Sequence, residues 1–221
     1  MMSSNGKPEE MGNFFNARVD GYDEHMLDAG LKEYYVILSE PIEEKSQMTK
    51  ILDLGCGTGL EIKGIFDKAP NAQITGIDLS EKMLGLLEKK YSQYSEQLDL
   101  IQGSYLTLPF GEAKYDYVTS SQTMHHFLPR EKLELYHKIR KALKSGGKYI
   151  EGDYVVSEEK EKRLLKRYKE KLEEIEGPKE LYHIDIPFSI KTQKKLMLDA
   201  GFKEVEIIFD EDEAVIFVAT T

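Results

Sequence analysis

Three glycines at alternate positions, Gly55, Gly57 and Gly59, constrain the fold of this chain more than any other feature. They follow a short apolar segment and precede a helical pattern, and Asp53 stands two residues before the first of them. Glycine lets the backbone turn sharply and lets a ligand approach more closely than a Cβ atom would allow. The pattern therefore predicts a strand-to-helix turn beside a nucleotide-like cofactor.

The spacing of these glycines narrows the choice of cofactor. A dinucleotide-binding loop needs the pattern G-x-G-x-x-G, and its third glycine would fall at Leu60 in this chain. A phosphate-binding P-loop ends in Gly-Lys followed by Ser or Thr, and no lysine follows Gly59 in that register. The spacing therefore disfavours both kinds of phosphate-binding loop.

Composition limits the partners and the compartment. The chain has 221 residues and a formal net charge of −10, which predict one domain, or one domain with an elaborated end, and a poor binder of polyanions. We therefore expect neither nucleic acid nor an anionic membrane surface as a partner. There is no apolar run long enough to span a membrane, and the polar first ten residues lack the apolar core of a signal peptide. With a single cysteine, Cys56, the composition favours a cytoplasmic protein.

The hydrophobic pattern changes near residue 50. Apolar residues recur at helical spacing between about 11 and 48, whereas strand and helix patterns alternate from Lys50 onward. This alternation predicts a parallel sheet with helices on both faces, followed by a hairpin around Asp210–Glu213. The expected strands are residues 51–54, 73–77, 98–102, 115–120, 148–156, 205–209 and 214–219, and the expected helices include 60–68, 80–91, 130–143, 157–176 and 189–199.

Several motifs resemble those of one enzyme family. Asp53-Leu-Gly-Cys-Gly-Thr-Gly59 resembles the first motif of the class I S-adenosylmethionine-dependent methyltransferases, and Gly76-Ile-Asp-Leu-Ser80 is similar to the second. Leu143–Tyr149 resembles the Lys-Pro-Gly-Gly turn of the family, with Ser145 in place of proline. The resemblance implies a Rossmann-like α/β fold, with a mostly parallel seven-stranded sheet, a terminal antiparallel hairpin and helices on both faces.

The resemblance also implies a division of the chain. Residues 49–221 are expected to form the methyltransferase core. The segment 1–48 is expected to form an N-terminal helical lid, in which Tyr22 is a plausible contact to the cofactor. Residues 157–190 are expected to form a second lid, inserted in the core.

The implied cofactor is S-adenosyl-L-methionine, with S-adenosyl-L-homocysteine as its product. In the family, the acidic residue at the position of Asp53 helps to hold the ammonium group of the methionine tail, and the one at Asp78 accepts hydrogen bonds from the ribose hydroxyls. Many members carry Asp where this chain has Ser104, so the adenine contact stays open, with Tyr105 as a substitute. Met83 is equally consistent with an adenine contact and with the core. The implied cofactor-binding residues are Tyr22, Asp53, Gly55, Cys56, Gly57, Gly59, Asp78, Leu79, Met83, Ser104, Tyr105, Ser120 and Ser121.

The acceptor site is expected at the carboxyl ends of the strands, where open α/β sheets bind ligands. His125 follows the fourth strand, and His183 and Asp185 share a face of an extended segment. With Asp153, these residues would converge if that segment folds over the sheet edge. We expect His125, His183 and Asp185 to orient or deprotonate the acceptor, and His126 to lie on another face. The sequence has no H-x-x-x-H or C-x-x-C spacing, so no metal is expected.

The resemblance implies transfer of a methyl group from S-adenosylmethionine to a small molecule by in-line displacement. Three alternatives stay open: a protein or peptide methyltransferase, an enzyme that transfers another part of the cofactor, and a non-catalytic module that binds the cofactor and regulates a partner. A Rossmann oxidoreductase is disfavoured by Leu60 and by the terminal hairpin. The acceptor and the oligomeric state cannot be read from the sequence.

Overall fold

The computed structural model describes residues 9–172 and 182–221, and a single seven-stranded sheet organises them. The strands are β1 (Thr49–Leu54), β2 (Ala72–Asp78), β3 (Leu98–Gln102), β4 (Tyr115–Ser121), β5 (Leu143–Tyr154), β6 (Glu204–Glu211) and β7 (Ala214–Thr220). Their order is β3-β2-β1-β4-β5-β7-β6. All neighbours are parallel except the pairs that β7 makes with β5 and β6. The predicted fold class is confirmed.

Helices cover both faces of the sheet. They are α1 (Met11–Asn16), α2 (Tyr22–Met26), α3 (Lys32–Ser39), α4 (Ile62–Lys68), α5 (Glu81–Lys90), α6 (Pro129–Ala142), α7 (Glu158–Leu172) and α8 (Ile190–Asp199). One core cluster joins Leu135 of α6 and Met197 of α8 to the sheet, and the other joins α3, α4 and α5 to the opposite face. Because both faces are covered, the central strands are apolar along nearly their whole length, as in β1 and β7.

The sequence-based expectations differ from the structure mainly at the ends of elements. The helical region 11–48 is divided into α1, α2, a π-helical segment at Leu27–Leu31 and α3, which ends two residues before Pro41. The helix expected from residue 60 begins at Ile62, and β5 begins at Leu143, five residues earlier than expected. These shifts leave the order of the elements unchanged.

The terminal hairpin is tighter than the sequence suggested. Only Asp212 and Glu213 separate β6 from β7, and both have positive φ angles, 49° and 66°. Two residues with positive φ form the turn that matches the twist of antiparallel strands. The strands therefore extend into the acidic segment that we expected to be loop.

The two segments expected to act as lids contact each other at the carboxyl edge of the sheet. Glu10 pairs with Tyr182 in an isolated antiparallel bridge, and the amide of His183 donates to the carbonyl of Glu9 at 2.9 Å. The break expected at Gly177-Pro178 lies outside the described residues, as does the end of the helix expected at 157–176. A lid role for either segment stays a prediction. Within the described ranges, no helix is long and apolar enough to cross a membrane.

Candidate functional site

The glycine loop between β1 and α4 has the form that a bound ligand requires. Gly55 has a φ of 70°, and a Cβ atom there would lie 2.6 Å from Oγ1 of Thr123, so only glycine fits. Gly57 also has a positive φ, 47°, but a Cβ atom at this position would meet no atom closer than 3.9 Å. The loop therefore turns tightly against the protein at Gly55 and leaves open space in front of Gly57.

Two aspartates flank this loop at the ends of adjacent strands. Asp53 of β1 is fully buried, and its Oδ1 accepts a hydrogen bond from Oγ1 of Thr119 at 2.9 Å, whereas its Oδ2 has no hydrogen-bond partner. Asp78 of β2 accepts from the amides of Gly57 at 2.9 Å and Ser80 at 2.7 Å, one on each oxygen. A carboxylate oxygen has two lone pairs. Both aspartates therefore keep acceptor capacity for a ligand.

A third carboxylate, Glu61, was missed by the sequence analysis. It is 4% exposed, and burial raises its pKa well above the usual value, with the neighbouring Asp53 acting in the same direction. Burial likewise raises the pKa values of Asp53 and Asp78. In the sequence, the position of Glu61 beside the glycine loop is the one sign that it belongs to the site. The apolar pattern of the helix that follows is ordinary and does not single it out.

This set of groups fits S-adenosylmethionine, which carries an ammonium and a sulfonium. Buried carboxylates that lie close together repel one another, and a cation between them relieves that repulsion. The unpartnered Oδ2 of Asp53 offers an acceptor to the ammonium group, and the open space at Gly57 lets the ligand approach the backbone. The ribose would be held by Asp78.

The other residues predicted to bind the cofactor fall into two groups. Tyr22 lines an open cleft beside the loop, and the half-buried Leu79 follows Asp78 directly. Met83 and Cys56 are buried, at 1% and 2% exposed, and the Cys56 sulfur packs against Gly76.

Hydrogen bonds hold the hydroxyl groups among these residues. Oγ of Ser104 accepts from the amide of Leu106 at 3.3 Å, and the hydroxyl of Tyr105 lies 2.6 Å from Oγ1 of Thr123. Oγ of Ser121 lies 3.2 Å from the hydroxyl of Tyr34. The predicted cofactor roles of these side chains stay predictions.

The N-terminal segment is pinned across the glycine loop. Asp23 of α2 accepts a hydrogen bond from the Thr58 hydroxyl and forms an ion pair with Lys90 at 2.6 Å. Oδ1 of Asn16 accepts from Oγ of Ser80, the residue that caps α5, at 2.8 Å. Together with Tyr22, these contacts place the segment over the expected cofactor site.

A cleft of about 510 Å³ opens beside the loop, and its walls come from the N-terminal segment, the ends of β4 and β5 and the 182–188 segment. This is the size of a small-molecule site. Of the predicted acceptor residues, His125, His183 and Asp185 all line it. The other lining residues are Phe14, Phe15, Ala17, Arg18, Asp20, Gly21, Tyr22, His25, Met26, Gln122, His126 and Tyr154.

Three imidazoles surround one carboxylate oxygen in this cleft. Oδ1 of Asp185 lies 3.7 Å from Nε2 of His125, 3.4 Å from Nδ1 of His126 and 3.6 Å from Nε2 of His183. The expectation that His126 lies on another face is wrong, because residues 124–126 form a 3₁₀ turn, in which neighbouring side chains do not alternate as in a strand. On its other side, Nδ1 of His125 lies 2.5 Å from Oδ1 of Asp153.

The protonation of these groups follows from their surroundings. Burial lowers the pKa of His125, but the Asp153 carboxylate more than offsets this and holds that pKa above its usual value. Burial lowers the pKa of His126, and it lowers the pKa of His183 to about 3. The pKa of Asp185 is lowered, because the neighbouring imidazoles outweigh its partial burial.

Aromatic side chains close the cleft on the N-terminal side. The Phe14 ring stacks on His183 with 3.6 Å between the ring centroids, and Phe15 meets His126 and His183 edge-on. Tyr154, at the end of β5, contacts His125 edge-on at 5.2 Å. The sequence predicted only that both phenylalanines lie in a helical region, because apolar spacing cannot distinguish a core from the wall of a cleft.

A second buried polar network lies behind the sheet edge. Oε2 of Glu151 accepts hydrogen bonds from the hydroxyls of Tyr136 at 2.8 Å and Tyr149 at 2.7 Å, and its Oε1 accepts from Gln193. Lys132 donates to Oε1 of Gln193 at 2.8 Å. The predicted cofactor residue Ser120 belongs here, since its hydroxyl lies 2.8 Å from that of Tyr149.

Comparison with known proteins gives consistent matches. Residues 51–147 match the family model described as "Methyltransferase domain". The carboxy-S-adenosyl-L-methionine synthase of Campylobacter fetus is 32% identical over 184 residues, which cover 79% of this chain and 78% of that protein. The protein of the same name from Wolinella succinogenes is 29% identical over 222 residues, which cover 93% of this chain and 92% of that protein.

Solved structures share the fold at lower sequence identity. Human N-acetylserotonin methyltransferase in complex with SAM superposes with a TM-score of 0.66 at 16% identity, covering 94% of this chain and 55% of that one. The YcgJ protein of Bacillus subtilis superposes with a TM-score of 0.63 at 15% identity, covering 86% of this chain and 98% of that one. These structures match the fold alone.

Proposed function

The chain belongs to the class I S-adenosylmethionine-dependent methyltransferase family, and on that premise we propose that it transfers the methyl group of S-adenosylmethionine to a small-molecule acceptor. The observation that carries the proposal is the cleft of about 510 Å³ that His125, His183 and Asp185 line together with residues of the N-terminal segment. When bound, the cofactor supplies an already activated methyl group. The protein then has to align the acceptor with it and exclude water.

The residues of the chain divide these tasks between them. Asp53, Glu61 and Asp78 hold the cationic tail and the ribose, which fixes the methyl donor at the carboxyl edge of the sheet. His125, oriented by Asp153, and Asp185 bind the polar group of the acceptor. Phe14 and Phe15 keep water away from that side of the cleft.

The names of the curated relatives support a second candidate, the formation of carboxy-S-adenosyl-L-methionine. That product carries a carboxylate in place of a methyl hydrogen, so its site needs a cation. Among the described lining residues, Arg18 is the one Lys or Arg, and it is ion-paired with Glu9 at 3.2 Å and stacked over Phe14. Asp20 and Asp185 add negative charge. With Arg18 paired to Glu9, no free Lys or Arg among the described lining residues is left to hold that carboxylate, so these basic side chains support methyl transfer better than carboxylation.

The size of the cleft also bears on the remaining alternatives. The N-terminal segment is fastened over the loop through Asp23 and Asn16 and forms one wall of a cleft of about 510 Å³, which suits a small molecule better than a peptide. A module that only bound the cofactor would have no use for a second set of polar groups beyond the glycine loop. The cluster around Asp185 therefore supports an enzyme that acts on a small acceptor.

One labelling experiment tests the proposal against carboxylation. The protein is incubated with S-adenosylmethionine whose methyl group carries three deuterium atoms. The mixture contains small phenols, amines and thiols as methyl acceptors, and bicarbonate and carboxylic acids that can release CO₂ as carboxyl donors, and products are identified by mass spectrometry. Methyl transfer moves all three deuterium atoms to an acceptor. Carboxylation leaves two on a cofactor whose mass has increased by a carboxyl group, and that result would overturn the proposal. The Asp78→Ala variant is the matched control, and it should form neither product.

A further inference from the structure

His126 is a buried imidazole whose hydrogen-bonding capacity is unused. The residue is 3% exposed, and neither Nδ1 nor Nε2 has a hydrogen-bond partner. Burying a polar group without a partner is costly, and native proteins rarely leave one. Both Phe15 and His183 pack against this ring, and Oδ1 of Asp185 lies 3.4 Å from its Nδ1. An imidazole held in this way is available to a ligand.

The distances around Asp185 are unsuitable for hydrogen bonds. Its Oδ1 lies 3.4 Å from Nδ1 of His126 and 3.7 Å from Nε2 of His125, beyond the range of about 2.7–3.2 Å for N–H···O bonds. Two ligands of a tetrahedral ion, each bound at about 2.1 Å, lie about 3.4 Å apart. The three atoms all lie within 4.8 Å of one another. The two distances to Oδ1 of Asp185 are therefore close to that separation, and a small movement of the rings within the 4.8 Å cluster would bring all three atoms onto one ion.

Asp153 supplies the outer contact that such a site needs. Its Oδ1 lies 2.5 Å from Nδ1 of His125, which directs Nε2 of the same ring toward Asp185. Ligating histidines commonly donate their other ring nitrogen to a carboxylate, which fixes the tautomer and the orientation of the ring. Asp153 is 1% exposed, so this contact is shielded from water.

We propose that His125 Nε2, His126 Nδ1 and Asp185 Oδ1 bind one divalent transition-metal ion, of which Zn²⁺ is the representative. Two imidazoles and one carboxylate suit the zinc group of ions rather than Mg²⁺ or Ca²⁺, which prefer oxygen ligands. Nε2 of His183 lies 3.6 Å from the same carboxylate oxygen and is the nearest further donor. The sequence lacks a metal-binding spacing, because the ligands come from two separate segments of the chain.

The ion would deepen the proposed function. This part of the inference rests on that function. With three protein ligands, a tetrahedral ion would keep a fourth position, and through it His125 and Asp185 would hold an oxygen, nitrogen or sulfur atom of the acceptor. The acceptor class is therefore a small molecule with a metal-coordinating group.

Metal binding is measured directly and without turnover. The full chain is stripped with a chelator and dialysed against Zn²⁺, and separately against Co²⁺, whose visible absorption reports a site with nitrogen ligands. We expect one ion per chain. His126→Ala and Asp185→Asn should each weaken binding at least tenfold, and Asp153→Asn should weaken it about 10–100-fold. The control is His137→Ala, an exposed histidine of α6, which should leave binding unchanged.

The outcomes separate the metal site from the cofactor site. Wild-type protein without a stoichiometric ion, or variants that bind as tightly as wild type, would overturn the inference. Each sample is also titrated with S-adenosylhomocysteine. If the protein binds S-adenosylhomocysteine but no metal ion, only the metal site is contradicted. If it binds a metal ion but not S-adenosylhomocysteine, the proposed function is contradicted. Asp185→Asn changes a side chain that is 53% exposed, so it tests the site even if His126→Ala does not fold.

Discussion

Two clusters of buried polar side chains meet on β5, two residues apart, and they differ in how completely their members are paired. Around Glu151, both carboxylate oxygens, Lys132 and Gln193 have hydrogen-bond partners. Around Asp153, one carboxylate oxygen, the Gln122 amide and both nitrogens of His126 have none. Both clusters consist of ionisable and polar groups, so burial and charge alone do not separate them.

The difference indicates which cluster serves the fold and which serves a ligand. In a fully paired network, internal hydrogen bonds offset the cost of removing the polar groups from water, and they fix α6 and α8 against the sheet. In an incompletely paired cluster beside a cleft, that cost is not offset until a ligand binds. We therefore expect unpaired buried groups at the cleft, and Oδ2 of Asp53 at the glycine loop, to mark the proposed site more sharply than the motifs do.

The largest change in the free energy of unfolding is expected for a substitution in the fully paired network around Glu151. Lys132→Met leaves Glu151 buried without its cation, and we expect it to lower the free energy of unfolding by about 3–5 kcal/mol. Chemical denaturation measures this. Arg130→Met, two residues away in an exposed ion pair with Glu134, is the control and should change stability by less than about 1 kcal/mol. Equal effects of the two variants would contradict the division between the clusters.

A substitution at the glycine loop is expected to raise the free energy of unfolding, by less than Lys132→Met lowers it. The pKa of Glu61 is higher in the folded protein than in the unfolded chain. The ionisation of Glu61 therefore lowers the free energy of unfolding as the pH rises from the unfolded-state pKa toward the folded-state pKa. Glu61→Gln should therefore raise the free energy of unfolding of the ligand-free protein by about 1–2 kcal/mol near neutral pH.

The pH dependence makes that test specific. The gain from Glu61→Gln should shrink in acid, where Glu61 is protonated in both states. Glu96→Gln, at an exposed position, should give no gain at any pH. A gain for Glu61→Gln that does not depend on pH would exclude the ionised carboxylate as its cause.

The smallest stability effect is expected at His126. In the presence of a chelator, His126→Leu replaces an unpaired polar ring by an apolar side chain, and we expect a gain of about 1 kcal/mol. The exposed His137→Leu variant should stay within about 0.5 kcal/mol of wild type. A loss at His126 comparable to that of Lys132→Met would show that the imidazole has a structural partner after all.

The fold was predictable because its signals are local. The order of strands and helices follows from periodicity, and Asp53, the glycines and Asp78 stand in contiguous motifs. The start of α5 is also decided locally, since the side chain of Ser80 accepts from the amide of Met83 three residues later. The errors in the predicted helices and strands lie mainly at their ends, where one or two turn residues set the boundary.

The acceptor site was only partly predictable, because tertiary contacts build it. The convergence of His125, His183 and Asp185 was a guess about how one segment folds over the sheet edge. Neither Glu61 nor Phe14 carries a sequence signal that separates a site residue from a core or surface one. His126 was misjudged because a 3₁₀ turn replaced the expected alternation.

The claim that unpaired buried groups mark the ligand site is tested by calorimetric titration with S-adenosylhomocysteine. The titration compares wild type, Asp53→Asn and Asp99→Asn. Asp53 has the buried oxygen without a partner, whereas Asp99 is an exposed residue of β3. We predict one site per chain in the wild type, binding at least tenfold weaker in Asp53→Asn, and no change in Asp99→Asn. An Asp53→Asn variant that binds as tightly as wild type would contradict the claim that unpaired buried groups mark the ligand site.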